Sequence, residues 1–115
     1  MERRTPDKDV LLDSLIELAA QTSIVHHIPG RIRLRVKLPA LLLAQDLDVE
    51  DLANHFKGIL EARANMAARS IVIIYDTGAI APAFWEQLVN GKKDPSVQNS
   101  LRKHLDRLFL VSKSS

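Results

Sequence analysis

The chain has 115 residues, 46% apolar and 26% charged, with a formal net charge of +2 and an isoelectric point near 9.2. That length fits one compact domain better than two independent cores, and the ordinary apolar and charged shares exclude wholesale disorder. Cysteine is absent, which excludes disulfides, thiolate metal sites and cysteine nucleophiles and makes a cytoplasmic setting the expectation.

Apolar residues at Val10, Leu11, Leu12, Leu15, Ile16, Leu18 and Ala19 recur at helical spacing and predict an amphipathic helix over residues 7–20, with Pro6 and Asp7 suited to its start. Asp9, Asp13 and Glu17 interrupt its apolar side, so neither a signal peptide nor a membrane span is expected. The stretch "HHIPGRIRLRVKLP" then changes the period to two. Ile32, Leu34, Val36 and Leu38 would face one side of a strand, and Arg31, Arg33, Arg35 and Lys37 the other. Pro29-Gly30 marks a turn or sharp entry into this strand, and Pro39 ends ladder donation beyond it.

A leucine-rich connector leads to a predicted helix over 49–59, with Leu52, Phe56 and Ile59 at helical spacing, Asp46 or Asp48 as cap and Gly58 near its end. "ILEARANMAARSIVIIYD" reads as two strands around a turn at residues 66–69. The continuous apolar run of the second predicts a central strand, well covered. A short helix is expected over 81–90, opened by Pro82 and stopped by Gly91. After the polar "KKDP", Val97, Leu101, Leu105 and Leu108 predict a basic amphipathic helix. "LFLV" fits either its extension or an edge strand, and "SKSS" a frayed end.

The centre of this order is β-α-β-β-α-β, so the expected class is α+β, a ferredoxin-like sandwich with extra N- and C-terminal helices. With "HHIPGRIRLRV" upstream, "RAN" at residues 63–65 and "SIVIIYD" at 70–76, residues 24–90 resemble the cysteine-less branch of heavy-metal-associated domains. Such domains occur at the front of heavy-metal P-type ATPases and as stand-alone companions. The alternating-arginine strand also resembles one found in proteins of ferrosomes, bacterial iron-storing compartments. The resemblance implies a core over 24–91; the amphipathic N-terminal helix, assigned to 1–23, and the amphipathic C-terminal segment, assigned to 92–115, are additions outside that core about which the resemblance says nothing. It also implies metal handling, iron above all, with a P-type ATPase or a metal-compartment protein as partner. One departure matters: the metal-carrying members hold a soft metal between two cysteines after the first strand, and here residues 38–44 hold no thiol.

Arg31, Arg33, Arg35 and Lys37, joined by Arg63 from the neighbouring strand, form a basic stripe. It reads either as a solvated face paired with Glu61 and acids of the extra helices, or as a docking surface for an anionic partner: an acidic protein segment, a membrane surface, phosphate or nucleic acid. Arginine suits bidentate recognition of carboxylate or phosphate. The strand carries no aromatic residue, so sequence-specific RNA binding is not expected. If a terminal helix covers the sheet, Asp9, Asp13 and Glu17 are the acids placed to pair with the arginines.

His26 and His27 are the candidate metal ligands, for iron or for haem, but adjacent side chains on a strand point to opposite sides, so a second copy in a homodimer would have to complete the site. His55 and His104 are too distant in sequence to assign to a shared site. The sequence contains no phosphate loop, no H-E-x-x-H and no nucleophile elbow, and Glu50-Asp51 suit a helix start, so no enzyme is expected. The C-terminal segment is expected to cover apolar surface or close a dimer, with peripheral contact to a membrane or compartment surface as the other reading.

Overall fold

The computed structural model describes residues 8–91 and 94–110, apart from the side chain of Asp46. In chain order these form α1 (Lys8–Ala20), β1 (Thr22–Ile28), β2 (Arg31–Val36), a 3-10 turn (Leu38–Ala40) running into α2 (Leu41–Leu47), a second (Val49–Asp51) running into α3 (Leu52–His55), then β3 (Ile59–Asn65), β4 (Ser70–Tyr75), α4 (Pro82–Asn90) and α5 (Pro95–Leu108). The readings placed on Pro6, Asp7, Lys92, Lys93 and residues 111–115 lie outside the described residues. The strands make one antiparallel sheet in the order β1-β2-β4-β3, and the class is α+β.

Pro29-Gly30 is a hairpin turn between two strands. Ile28 pairs with Arg31 across it, and Gly30 adopts φ 91, a conformation side chains resist. β1 escapes a period-two reading because its register shifts between Ile24 and His26, leaving Val25 as an extra residue. Residues 22–90 therefore run β-β-α-β-β-α in place of the expected β-α-β-β-α-β. The edge beside β2 is filled by the strand that precedes it.

The leucine-rich connector is itself helical, and the helix expected over 49–59 is shorter. Asp48 takes the left-handed conformation (φ 57) and separates α2 from the second 3-10 turn, while Phe56 is already extended beyond α3. Leu52 and Phe56 are buried as expected, and Ile59 is buried as the first residue of β3. Between them Gly58 has φ 94, and a Cβ there would lie 2.9 Å from the Ala79 Cβ and 3.0 Å from the Ile80 side chain. Gly58→Ala is therefore expected to cost roughly 1–3 kcal/mol in backbone strain alone, read as a lowered denaturation midpoint in urea; an unchanged midpoint would refute the tight approach.

Every helix contributes to one core on one side of the sheet. Ile32, Leu34 and Val36 of β2 and Ile71, Ile73 and Tyr75 of β4 meet Leu11, Leu12 and Leu18 of α1, Phe84, Trp85 and Leu88 of α4, and Leu101 and Leu105 of α5. α1 and α5 also pair through charge: Arg102 bonds Asp13 and lies 3.1 Å from Asp9, and Lys8 Nζ lies 2.7 Å from Asp106. The Asp106 carboxylate, by hydrogen bond and by charge, holds the Lys8 ammonium pKa above its ordinary value. The expected pairing of Asp9 and Asp13 with the arginine strand is thus overturned. α1 packs on the core side, where its acids meet α5, and exposed Glu17 lines the groove between these helices.

Asp94 caps α5, its carboxylate accepting from the Ser96 hydroxyl and the Ser96 backbone N–H, both at 3.0 Å, and these bonds hold its pKa below the ordinary value. A depressed carboxylate stabilises the fold above its unfolded pKa, about 3.9, and loses that contribution as pH falls through the folded value. Asp94→Ala is therefore expected to lower Tm near pH 7, with the gap to the parent closing below about pH 4. A gap constant across melts from pH 7 to pH 2.5 would show that the carboxylate charge is not what caps the helix.

α5 ends at Leu108 and does not continue as helix. Phe109 bridges Phe56, Lys57 N–H donates to Leu108 O at 2.7 Å, and Leu110 N–H donates to His55 O at 2.8 Å. The start of "LFLV" is therefore a short tie against the α3–β3 joint, outside the four-stranded sheet.

Candidate functional site

Strand alternation puts Ile32, Leu34 and Val36 into the core and leaves Arg31, Arg33 and Arg35 exposed on the opposite face. The register lines up three rows on that face. Ile28, Arg31, Ile74 and Glu61 form one; His26, Arg33, Val72 and Arg63 the next; Ser23, Arg35, Ser70 and Asn65 the third. Antiparallel partners share a face, so each row is a line of neighbouring side chains. Arg63 bonds Glu61 along its own strand, and among the described residues Arg31, Arg33 and Arg35 have no ion pair. Lys37 lies just past β2 in extended conformation, exposed, its N–H donating to Gln21 O at 2.9 Å.

Sequence patterning missed the floor of this face. The run "SIVIIY" predicts a strand well covered, yet only Ile71, Ile73 and Tyr75 are buried. Val72 and Ile74 are half-buried between the arginines. Together with Arg31, Arg63 and Glu61 they line a shallow basin of about 360 Å³. Which β2 and β3 residues flank Val72 depends on cross-strand register, which no local pattern encodes.

His26 and His27 point to opposite sides, as expected of neighbours on a strand. His26 shares the arginine face beside Arg33. His27 points inward with its ring nearly buried, Nδ1 2.7 Å from a Glu86 carboxylate oxygen and Nε2 2.7 Å from the Tyr75 hydroxyl, so both ring nitrogens already have partners. His55 lies 2.9 Å from Asp51, and the His104 ring sits 4.7 Å from that of Phe84. Among the described residues no three His, Asp or Glu side chains come together as a metal-binding group.

The interior offers little room. A hollow of about 50 Å³ among Leu15, Leu18, Leu34, Trp85 and Leu88 is well below the ~150 Å³ that admits a benzene-sized guest. Trp85 Nε1 is buried with no hydrogen-bond partner among the described residues, and no contact accounts for it. No described helix is long and apolar enough to cross a membrane. Comparison with protein-family models, curated proteins and solved structures finds no match for this chain.

Proposed function

We propose that this protein is a non-catalytic docking or accessory protein whose contact surface is the arginine face. The observation that carries the reading is the placement of Arg31, Arg33, Arg35 and Arg63 on a sheet face that the core helices leave bare, opposed there by Glu61 alone among the acids of the register rows. Arg63 is paired with Glu61, and among the described residues Arg31, Arg33 and Arg35 have no ion pair; exposed cations so arrayed suit an external anion more than they serve stability.

The biological setting comes from the resemblance of residues 24–90 to cysteine-less heavy-metal-associated domains: bacterial metal handling, with iron as the metal and a P-type ATPase or metal-compartment component as partner. In this reading the sheet is ferredoxin-like, with the edge beside β2 supplied from the N-terminal side. Loss of the cysteine pair fits a domain that keeps the docking surface and gives up cargo.

The test is association of the purified chain with the cytoplasmic domains of the heavy-metal P-type ATPase of the same cell, by calorimetry across a salt series. Binding that weakens as salt rises is the expected result, since exposed charges are screened over about 10 Å at 0.1 M. Absence of binding at low salt, or binding indifferent to salt, would overturn it. Metal analysis and an absorption spectrum of the untagged protein belong beside this measurement. Stoichiometric iron or a haem band lost in a His26→Ala, His27→Ala variant would replace docking with carriage.

A further inference from the structure

Arg33 and Arg63 stand in one cross-strand row with Val72 between them, each one strand away from it. Neighbouring strands lie about 4.8 Å apart, so the two arginine backbones are roughly 10 Å apart; Arg63 lines the basin, its guanidinium now on Glu61, and Arg33 stands beside the basin across Val72. In the adjacent row Arg31 and Glu61 flank Ile74 in the same manner. We propose that this basin binds an acidic protein segment carrying carboxylates on both sides of an aliphatic side chain. The aliphatic group sits on Val72 and Ile74, and the carboxylates are held by Arg33, Arg63 and Arg31. The inference rests on the docking reading and names the chemistry of its partner.

Three features select this occupant. Guanidinium forks match carboxylates bidentately, and the Glu61–Arg63 pair already shows one carboxylate held at the basin rim, a contact that an incoming carboxylate would replace. The rows contain no Phe, Tyr or Trp, and His26 at the β1 end is their one aromatic ring, so the face lacks the array of aromatics on which single-strand-binding sheets stack successive bases. Val72 and Ile74 form a floor below longer charged side chains. A single side chain can descend to that floor, whereas adsorption to a bilayer calls for several apolar groups that project, and in the three rows Ile28 is the one exposed aliphatic.

The experiment titrates the full chain against a short fluorescent peptide with the centre Glu-Glu-Leu-Glu-Glu, with binding read by anisotropy. Saturable binding is expected, weakened about tenfold by Arg63→Glu and by replacing the peptide leucine with serine, the size of one lost charged or apolar contact. Glu61→Gln, which removes the internal competitor and leaves the fold's core untouched, is expected to tighten binding several-fold. The inference is overturned if Glu61→Gln and the leucine replacement both leave affinity unchanged. It is equally overturned if phosphatidylglycerol vesicles or a single-stranded oligonucleotide bind through these arginines and the peptide does not. Should the natural partner still require Arg33 and Arg35 while the peptide fails to bind, the acidic-segment assignment falls and the docking reading stands. A partner indifferent to those arginines removes the docking reading itself.

Discussion

A double Arg33→Glu, Arg35→Glu variant is expected to lose partner association by at least about a hundredfold while its Tm stays within a few degrees of the parent. Each reversal removes an attraction and adds a repulsion at the same place, and hydrogen bonds to charged groups contribute about 1.5–3 kcal/mol each. Two such losses exceed the ~2.7 kcal/mol that corresponds to a hundredfold change. Stability is expected to hold because both side chains are exposed and, among the described residues, give up no ion pair. The formal net charge also moves from +2 to −2, which removes long-range steering as well as contact. Binding titrations and thermal melts on the same preparations read both quantities. Association equal to the parent would end the docking interpretation. A paired Arg33→Lys, Arg35→Lys variant isolates geometry from charge: it retains the charge but loses the planar fork, and an intermediate affinity is expected.

The largest expected loss of stability belongs to Phe56→Ala. Phe56 is 1% exposed, its ring meets Phe109 edge-on at 5.7 Å between centroids, and its backbone both ends α3 and bridges Phe109. Truncating a buried phenylalanine costs about 3–5 kcal/mol through lost transfer energy and the cavity left behind. Against a typical total of about 5–15 kcal/mol, much of the chain's stability would go, with Tm falling on the order of 15 °C. Phe109→Ala, at a half-buried position, is expected to cost less than half as much. Equal losses in calorimetric melts of the two variants would mean that the C-terminal tie, and not the core position, sets the stability of this joint.

The parts of the fold legible in the sequence are those written in local period. α1, β2, the β3–β4 hairpin with its turn at residues 66–69, α4 and α5 all come from spacing, and so does the separation of arginines from aliphatics on β2. The rest is written between strands or across them. β1 carries a register shift that breaks alternation, so its pairing with β2 is invisible to a period-two reading. α2 hides in a leucine run whose helical face is only partly buried, with Leu42 exposed and Ala44 in the core. Charge alone matches the acids of α1 to the arginine strand; packing sends Asp9 and Asp13 to Arg102 on α5. Of the candidate site, the arginines are readable and the floor is not. Val72 and Ile74 look like core until the sheet is known to be covered on one side only.

The pairing of β2 with β4 bears on how the chain folds as well as on what it presents. Hairpins β1–β2 and β3–β4 each close across a short turn, a microsecond event, on the order of 1–10 μs. The seam that joins them brings Arg31 to Ile74 and Arg35 to Ser70, after α2 and α3 have intervened. Long loops carry an entropic cost that is met before non-local contacts repay it, so docking the two hairpins is expected to limit the folding rate. On a ribosome adding about 5–20 residues per second, the first hairpin emerges seconds before its neighbour. During that interval Ile32, Leu34 and Val36 have no sheet partner on the β4 side, and the row of arginines beside them is a like-charge barrier that keeps two nascent hairpins from pairing edge to edge.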